Sequence, residues 1–415
     1  MKLKNIDYPL FFIVLGLIIF GMIMISSVSV YPSFKVTTLM MNTGKINEPN
    51  NYFYLIRNIS HIIISMIIFA FIIKTSYKFF EKYAKIILLV VVLFLIIVLF
   101  IGVTYNGARG WINLPFLPFS LQPAEFLKLA IILYLAYFLK RRKFEIADLK
   151  NGFFPFIFLL FLIVFLLILQ PDFGTILIIT PISVLMYFIA GGSIKHIGIL
   201  FLVFLIFTFG IYFIGKFNGS SGERNVLTYV SDRFDNFLST NKTAIQNKTI
   251  NFQTEQGLIA IGSGGFFGLG FGKSIQKFGY LPEVQGDFIF SVMAEELGFF
   301  GVFILICLYL FIMYKGFYIA LNVSDLFGKY TAFGITTWIL VQTFINIGVN
   351  LNIVPLTGVT LPFISYGGSS LLSLMIGVAI LLNISRDVNY SEVPTSVSRY
   401  FRKKNIIKHF FKEKA

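Results

Sequence analysis

Apolar runs close to the ~20 residues that a helix needs to cross a bilayer recur along this chain, and they leave little room for another architecture. They cover roughly 8–30, 59–75, 84–104, 121–139, 153–170, 175–191, 197–215, 286–313, 328–350 and 361–384, which predicts ten spans. In hydrocarbon, backbone N–H and C=O groups must be paired inside a helix or a closed barrel, and the alternating pattern of a barrel is absent. The predicted fold class is therefore all-α, a polytopic integral membrane protein whose residues 1–385 form one ten-span domain. Composition agrees. Only 13% of the 415 residues are charged, where a soluble domain carries about 25%.

The distribution of lysine and arginine predicts orientation. With the N-terminus inside, the inner segments hold 22 of the 34 cations and the outer segments 11, while Lys128 lies within a span. Cytoplasmic loops carry such an excess, so both termini are predicted to be cytoplasmic. The net charge of +15 then reflects topology and anionic lipid headgroups, not nucleic acid. Residues 386–415 form a basic cytoplasmic tail, and its segment RYFRKKNIIKHFFKEKA, residues 399–415, is read as a helix lying on the inner membrane surface. One connection is long. Residues 216–285, between the seventh and eighth spans, are predicted to be a large extracellular loop, of a length uncommon unless a loop is functional or disordered. The first run also fits a signal peptide, but its ~23 apolar residues exceed the usual core, so an uncleaved span is predicted. Cys307 is the single cysteine, which leaves no disulfide within the chain. No internal repeat is evident.

Carboxylates inside apolar helices are costly and mark functional sites. The segment Tyr280–Gly301, YLPEVQGDFIFSVMAEELGFFG, is predicted to open a helix with Asp287 and to carry Glu295 and Glu296 further in. At about 100° per residue, Glu295 lies about 80° round from Asp287 and Glu296 about 180°. Only Glu295 then shares the face of Asp287, and Glu296 is expected to pair within the bundle. Two readings fit Asp287 itself: an acid favoured by the helix macrodipole, or part of a functional site at the membrane face.

Other polar constellations lie near span ends. Arg109 and Trp111 sit at the outer interface, where aromatic anchors are common. Pro123 suits the first turn of the fourth span. Glu125 and Lys128, three positions apart, share a helix face. They are either a self-neutralising pair or, with Arg109, a cationic site suited to a diphosphate. Asp172, in the break Gln170–Gly174, is read as a helix cap or a participant in the site. The run PLTGVTLPFISYGGSS, residues 355–370, places Ser365 and Ser369 in irregular backbone, tolerated at this depth only when packed in protein or lining a cavity. The glycine run GSGGFFGLGFGKS tempts a nucleotide-binding reading. A P-loop needs glycine five residues before Gly272, where Phe267 stands, so these glycines are predicted to serve tight turns.

Together these segments resemble the shape, elongation, division and sporulation (SEDS) family represented by FtsW and RodA. The family pattern GARRWI…QPSEhhK appears as Gly107–Ile112 and as Gln122, Pro123, Ala124 and Glu125 with Lys128; QPDxGT appears as Gln170–Thr175. The pattern hLPExxTDFIFAhhxEELG appears as Leu281–Gly298, and LPFhSYGGSS as Leu361–Ser370. Gly110, Ala124 and Gly286 depart from the pattern, replacing an arginine, a serine and a threonine. The opening span and the 355–370 run look closer to the division member than to the elongation member.

The resemblance implies a peptidoglycan glycosyltransferase of the bacterial cytoplasmic membrane that polymerises lipid II outside the membrane. The family's proposed catalytic aspartate falls on Asp287. Arg109 and Lys128 are expected to neutralise the diphosphate, with Trp111, Glu125, Asp172, Glu295, Ser365 and Ser369 around the substrate. A divalent cation, Mg or Mn, is the one cofactor foreseen. The partner foreseen is a class B penicillin-binding protein, a transpeptidase, together with divisome or elongation-complex proteins. Acids within spans suit two other functions: transport of lipid II without reaction, and a scaffold that recruits the transpeptidase.

Overall fold

The computed structural model describes residues 6–105, 108–113, 120–220 and 248–388. The described elements are mostly helices. In order they are α1 (Tyr8–Val28), α2 (Val30–Asn42), α3 (Phe53–Ile72), α4 (Tyr77–Ile101), α5 (Pro123–Arg141), α6 (Phe154–Leu169), α7 (Phe173–Ile189), α8 (Ile194–Ser220), α9 (Lys248–Ser263), α10 (Ile289–Asn322), α11 (Leu326–Asn350) and α12 (Gly368–Ser385). Among the described residues, seven helices are long and apolar enough to cross a membrane: α1, α3, α4, α6 with the turn before it, α10, α11 and α12. α7 is apolar but shorter, and α5 carries Glu125, Lys128, Lys140 and Arg141.

Helix ends differ from the hydropathy limits for identifiable reasons. α4 begins at Tyr77, well ahead of the apolar run, with its side-chain cap from Ser76. Lys78, Lys82 and Lys85 occupy its first turns, where long cationic stems pack while their heads reach water. The last helix starts at Gly368, because Leu361–Gly367 form turns instead of helix. The helix expected to open with Asp287 starts at Ile289, leaving Asp287 in the preceding turn. The chain is also not purely helical. A three-stranded antiparallel sheet, β1 (Val103–Tyr105), β2 (Ala108–Asn113) and β3 (Ser120–Leu121), lies between α4 and α5. Strands this short carry almost no periodic signal.

α5, α11 and α12 form the buried centre. α5 packs on α4, α7, α11 and α12, and α12 is buried along nearly its whole length. Helices α3 and α4 turn broad apolar faces outward. At one end of the bundle the polypeptide is clasped. The Asp7 N–H donates to Ser385 Oγ at 3.0 Å, and Lys315 pairs with the Asp7 carboxylate at 3.1 Å. Nearby, Tyr77 donates its hydroxyl to Asp387 at 2.9 Å, and Lys140 bridges Glu81 and Asp325 at 2.7 and 2.8 Å.

α10 is broken near its start. Gly298 has φ 67° and ψ −172°, a region open essentially to glycine alone. The glycine run that follows α9 is stitched into this break. Leu269 and Gly270 N–H groups donate to the carbonyls of Glu295 and Glu296, and Phe299 and Phe300 N–H groups donate to Gly265 and Phe266. A Cβ on Gly264 or Gly268 would strike the α10 backbone at 2.0 or 2.2 Å. The tight-turn expectation for these glycines holds, and their second job is close backbone approach. The proposed 216–285 loop is described only at its two ends, and the basic tail beyond Val388 lies outside the described residues.

Candidate active site

The irregular segment 355–366 is the hub. Gly174, in the first turn of α7, lies so close to it that a Cβ there would sit 2.7 Å from the Thr357 carbonyl oxygen. The Ser365 hydroxyl donates to the Gly286 carbonyl at 2.7 Å and accepts from the Leu361 N–H. The Ser369 hydroxyl donates to the Ser120 carbonyl and accepts from the Gln122 N–H at 3.0 Å. All four sequence motifs thus converge on one end of the bundle. Ser365 and Ser369, expected to touch substrate, already bridge elements of the chain; they hold the wall of the site together.

Asp287 is half-buried and its backbone is held from three directions. The carbonyl of Gln285 accepts from the Tyr366 N–H at 2.8 Å, and that of Gly286 from Ser365. The carbonyl of Asp287 accepts from the side-chain amides of Asn346 at 2.9 Å and Asn350 at 2.8 Å. Asn346 also donates to the Val359 carbonyl, while Asn350 accepts from the Ser291 hydroxyl at 2.7 Å. The carboxylate faces Gly358, where a Cβ would lie 3.6 Å from Oδ2 and where φ is 74°. The positive φ favours glycine, and a Cβ there would meet the carboxylate at ordinary van der Waals distance.

Lys128 is almost wholly buried in α5 and contacts Glu125 at 2.7 Å. Its ammonium also donates to Gln342 Oε1 at 3.2 Å and lies 5.5 Å from the Trp338 ring. Gln342 in turn donates to the carbonyl and hydroxyl of Thr360, and Thr360 meets Ser370 at 3.0 Å. The expected ion pair is formed, and its cation is wired to the hub that faces Asp287.

Asp172 caps α7: one oxygen accepts from the Thr175 N–H at 3.0 Å and the other from its hydroxyl at 2.8 Å. Burial pushes its carboxyl above the ordinary range, the Thr175 hydrogen bonds pull the other way, and the Glu125 charge raises it further against Lys128. The cap and the proximity to the Glu125–Lys128 pair are therefore both present.

Glu295 is a correction. It is buried and accepts from the Ser274 hydroxyl and, at 3.0 Å, from the Ile275 N–H, so it anchors the segment after the glycine run instead of sharing a cavity with Asp287. Glu296 pairs with Lys277 at 2.8 Å and accepts from Ser27 of α1 at 3.0 Å, as expected of a residue paired within the bundle. Arg109 lies in β2 opposite Thr104, and Trp111 opposite Val103 and half-buried; the Arg109 side chain lies outside the described part of the structure.

Gln342, Asn346 and Asn350 were not singled out from the sequence. The signal was available: amides repeating every four residues in an otherwise apolar helix occupy one face, and such a face inside a span is polar for a reason. As for a metal, no group of three or more His, Cys, Asp or Glu side chains comes together among the described residues.

A family model described as a cell cycle protein, covering FtsW, RodA and SpoVE, matches residues 8–390. Stage V sporulation protein E of Bacillus subtilis (strain 168) is 35% identical over 392 residues, 94% of this chain and 99% of that protein. The probable peptidoglycan glycosyltransferase FtsW of the same organism is 39% identical over 394 residues, covering 94% and 93%. A structure described as the structural coordination of polymerization and crosslinking by a peptidoglycan synthase complex superposes with TM-score 0.73 at 25% identity, covering 93% of this chain and 99% of that one. The crystal structure of the rod shape determining protein RodA from Thermus thermophilus gives TM-score 0.63 at 26% identity, covering 92% and 97%.

Proposed function

The chain belongs to the family of FtsW, RodA and SpoVE, multi-pass membrane proteins, and is a peptidoglycan glycosyltransferase; we propose that it polymerises lipid II at the outer membrane face with Asp287 as general base. The observation that carries this reading is the placement of Asp287. Its half-buried carboxylate stands where four motifs meet, with its own carbonyl and the two before it each fixed by another element. The Lys128 ammonium is wired to the same hub through Gln342 and Thr360.

The reaction then runs as follows. The acceptor sugar hydroxyl gives its proton to an Asp287 carboxylate oxygen as its own oxygen bonds to the donor's anomeric carbon. The bond from that carbon to the diphosphate breaks, and the electron pair leaves on undecaprenyl diphosphate. The leaving group needs cations more than an acid. Lys128 and Arg109 are assigned to supply them, with Trp111 at the interface. Glu125 and Asp172 set the field around Lys128. A divalent cation, Mg or Mn, would be held by one carboxylate and the diphosphate oxygens; the proposed steps use the chain's own side chains.

The topology proposed is ten spans, namely α1, α3–α8 and α10–α12, with both termini cytoplasmic and the Asp287 end outside. The excess of Lys and Arg at the clasped end supports this. A class B penicillin-binding protein is the proposed partner, in the division or the elongation complex. The likeness to a synthase complex that coordinates polymerization with crosslinking supports it.

The test is purified protein with labelled lipid II, with and without the partner and with chelator. Polymer is expected from the wild type and none from Asp287→Asn. A near-normal rate in that variant overturns the base assignment. Lipid II movement across vesicles without any polymer would favour transport instead.

A further inference from the structure

We propose that Asn346 and Asn350 are positioning residues for this reaction, and that with Gln342 they hold the Asp287 backbone and the Lys128 ammonium at a fixed separation along α11. The proposal rests on Asp287 being the base. Two amides converge on a single acceptor, the Asp287 carbonyl, at 2.9 and 2.8 Å. The two amides engage both lone pairs of that oxygen and so fix it from two directions. The amides are themselves locked. Asn350 is tied to Ser291 and to the Asn346 carbonyl, and Asn346 to Val359.

The same face of α11 reaches the cation. Gln342 accepts from Lys128 and from the Trp338 indole N–H at 2.8 Å, and donates to Thr360. Residues spaced by four on a helix are separated by about 6 Å along its axis. Gln342 therefore fixes Lys128 roughly one turn from Asn346 and two from Asn350. The helix is a rigid rule between the group that takes the proton and the group facing the departing charge. Asp287 lies in a turn two residues ahead of α10, outside the helix itself, and the amides tie that turn to α11. Neither amide is assigned a contact with substrate.

The test uses the full chain with its transpeptidase partner and labelled lipid II, comparing Asn346→Ala, Asn350→Ala and the double variant for kcat and KM. A misplacement of about 1 Å at a reacting group costs up to about 100-fold. Each single change is expected to lower kcat by roughly threefold to tenfold and the double by about 100-fold, with KM within about twofold, because the substrate contacts survive. A folded single variant with wild-type kcat overturns the proposal, as does a loss expressed in KM alone. Thermal unfolding in detergent identifies variants that fail to fold; if the double fails, the two singles decide. Asp287→Asn is run in parallel. Activity there overturns the base assignment and the positioning role with it, whereas an inactive Asp287→Asn beside fully active amide variants overturns positioning alone.

Discussion

The Lys277 ammonium lies 2.8 Å from the Glu296 carboxylate, and both side chains are almost fully buried. The same ammonium donates to Ser27 of α1 and to the Gly272 carbonyl, so three parts of the chain meet at one charge. Removing one partner of such a pair strands the other, at a cost of about 3–5 kcal/mol, while replacing both by apolar groups is far milder. Lys277→Met is therefore expected to lower the unfolding midpoint in detergent sharply, and Lys277→Met with Glu296→Leu to recover most of it. A single variant as stable as wild type contradicts this.

Gly298→Ala tests the break in α10. The new Cβ would lie 2.2 Å from the Gly268 nitrogen, and the backbone angles exclude alanine. Strain of this kind costs of order 1–3 kcal/mol before the clash is added. The expected result is low yield of folded protein and faster hydrogen exchange at Leu269 and Gly270, measured by mass spectrometry.

Gly358→Ala probes the space beside the reacting carboxylate. Left-handed backbone costs a non-glycine residue about 1–2 kcal/mol, and the added methyl would lie 3.6 Å from Asp287 Oδ2. Polymerisation is expected to fall more than stability does. Equal loss in both would make Gly358 a folding residue only.

Asp172 gives a pH test. Burial, with help from Glu125, raises its carboxyl above the unfolded value. The native state then holds the proton more tightly, so this group's contribution to stability is full below the unfolded pKa and declines as pH rises through the native one. Asp172→Asn keeps an oxygen for the Thr175 N–H and removes the charge. It is expected to be at least as stable as wild type near pH 7 and to lose that part of the pH slope in thermal unfolding. Activity retained in this variant would make Asp172 a cap and nothing more.

Lys128 can be separated from its partner in the same way. Lys128→Met strands Glu125, whereas Lys128→Met with Glu125→Leu removes both members of the pair. The double variant is expected to regain stability without regaining polymerisation, since losing one charge-stabilising group typically costs about 10²–10³ in rate. Recovery of both would show that the pair serves the fold alone.

What the sequence made legible was charge in the wrong place. Asp287, Glu125, Lys128, Asp172 and Glu296 stand out because apolar surroundings make them expensive, and the structure finds each at a junction. Hydroxyls carry no such signal. Ser365 and Ser369 looked like substrate contacts, yet a serine that staples two backbones has the same neighbours in sequence as one that binds sugar. Glu295 misled for a geometric reason: the wheel that placed it beside Asp287 assumed one continuous helix, but Asp287 precedes the first turn of α10. The amides at 346 and 350 were overlooked because uncharged groups in an apolar run hardly alter its hydropathy. The β1–β3 sheet escaped because its strands are too short to show alternation.

The clasp at Asp7 and Ser385 joins the first helix of the bundle to the last, within one hydrogen bond. Unravelling of a helical protein usually starts from a loose end, and here the start of α1 and the end of α12 are fastened to each other. A circular permutant that joins residues 388 and 6 through a short spacer and opens its new ends in the exposed turn at Lys143–Glu145 should keep its activity, because both changes lie away from the Asp287 end of the bundle.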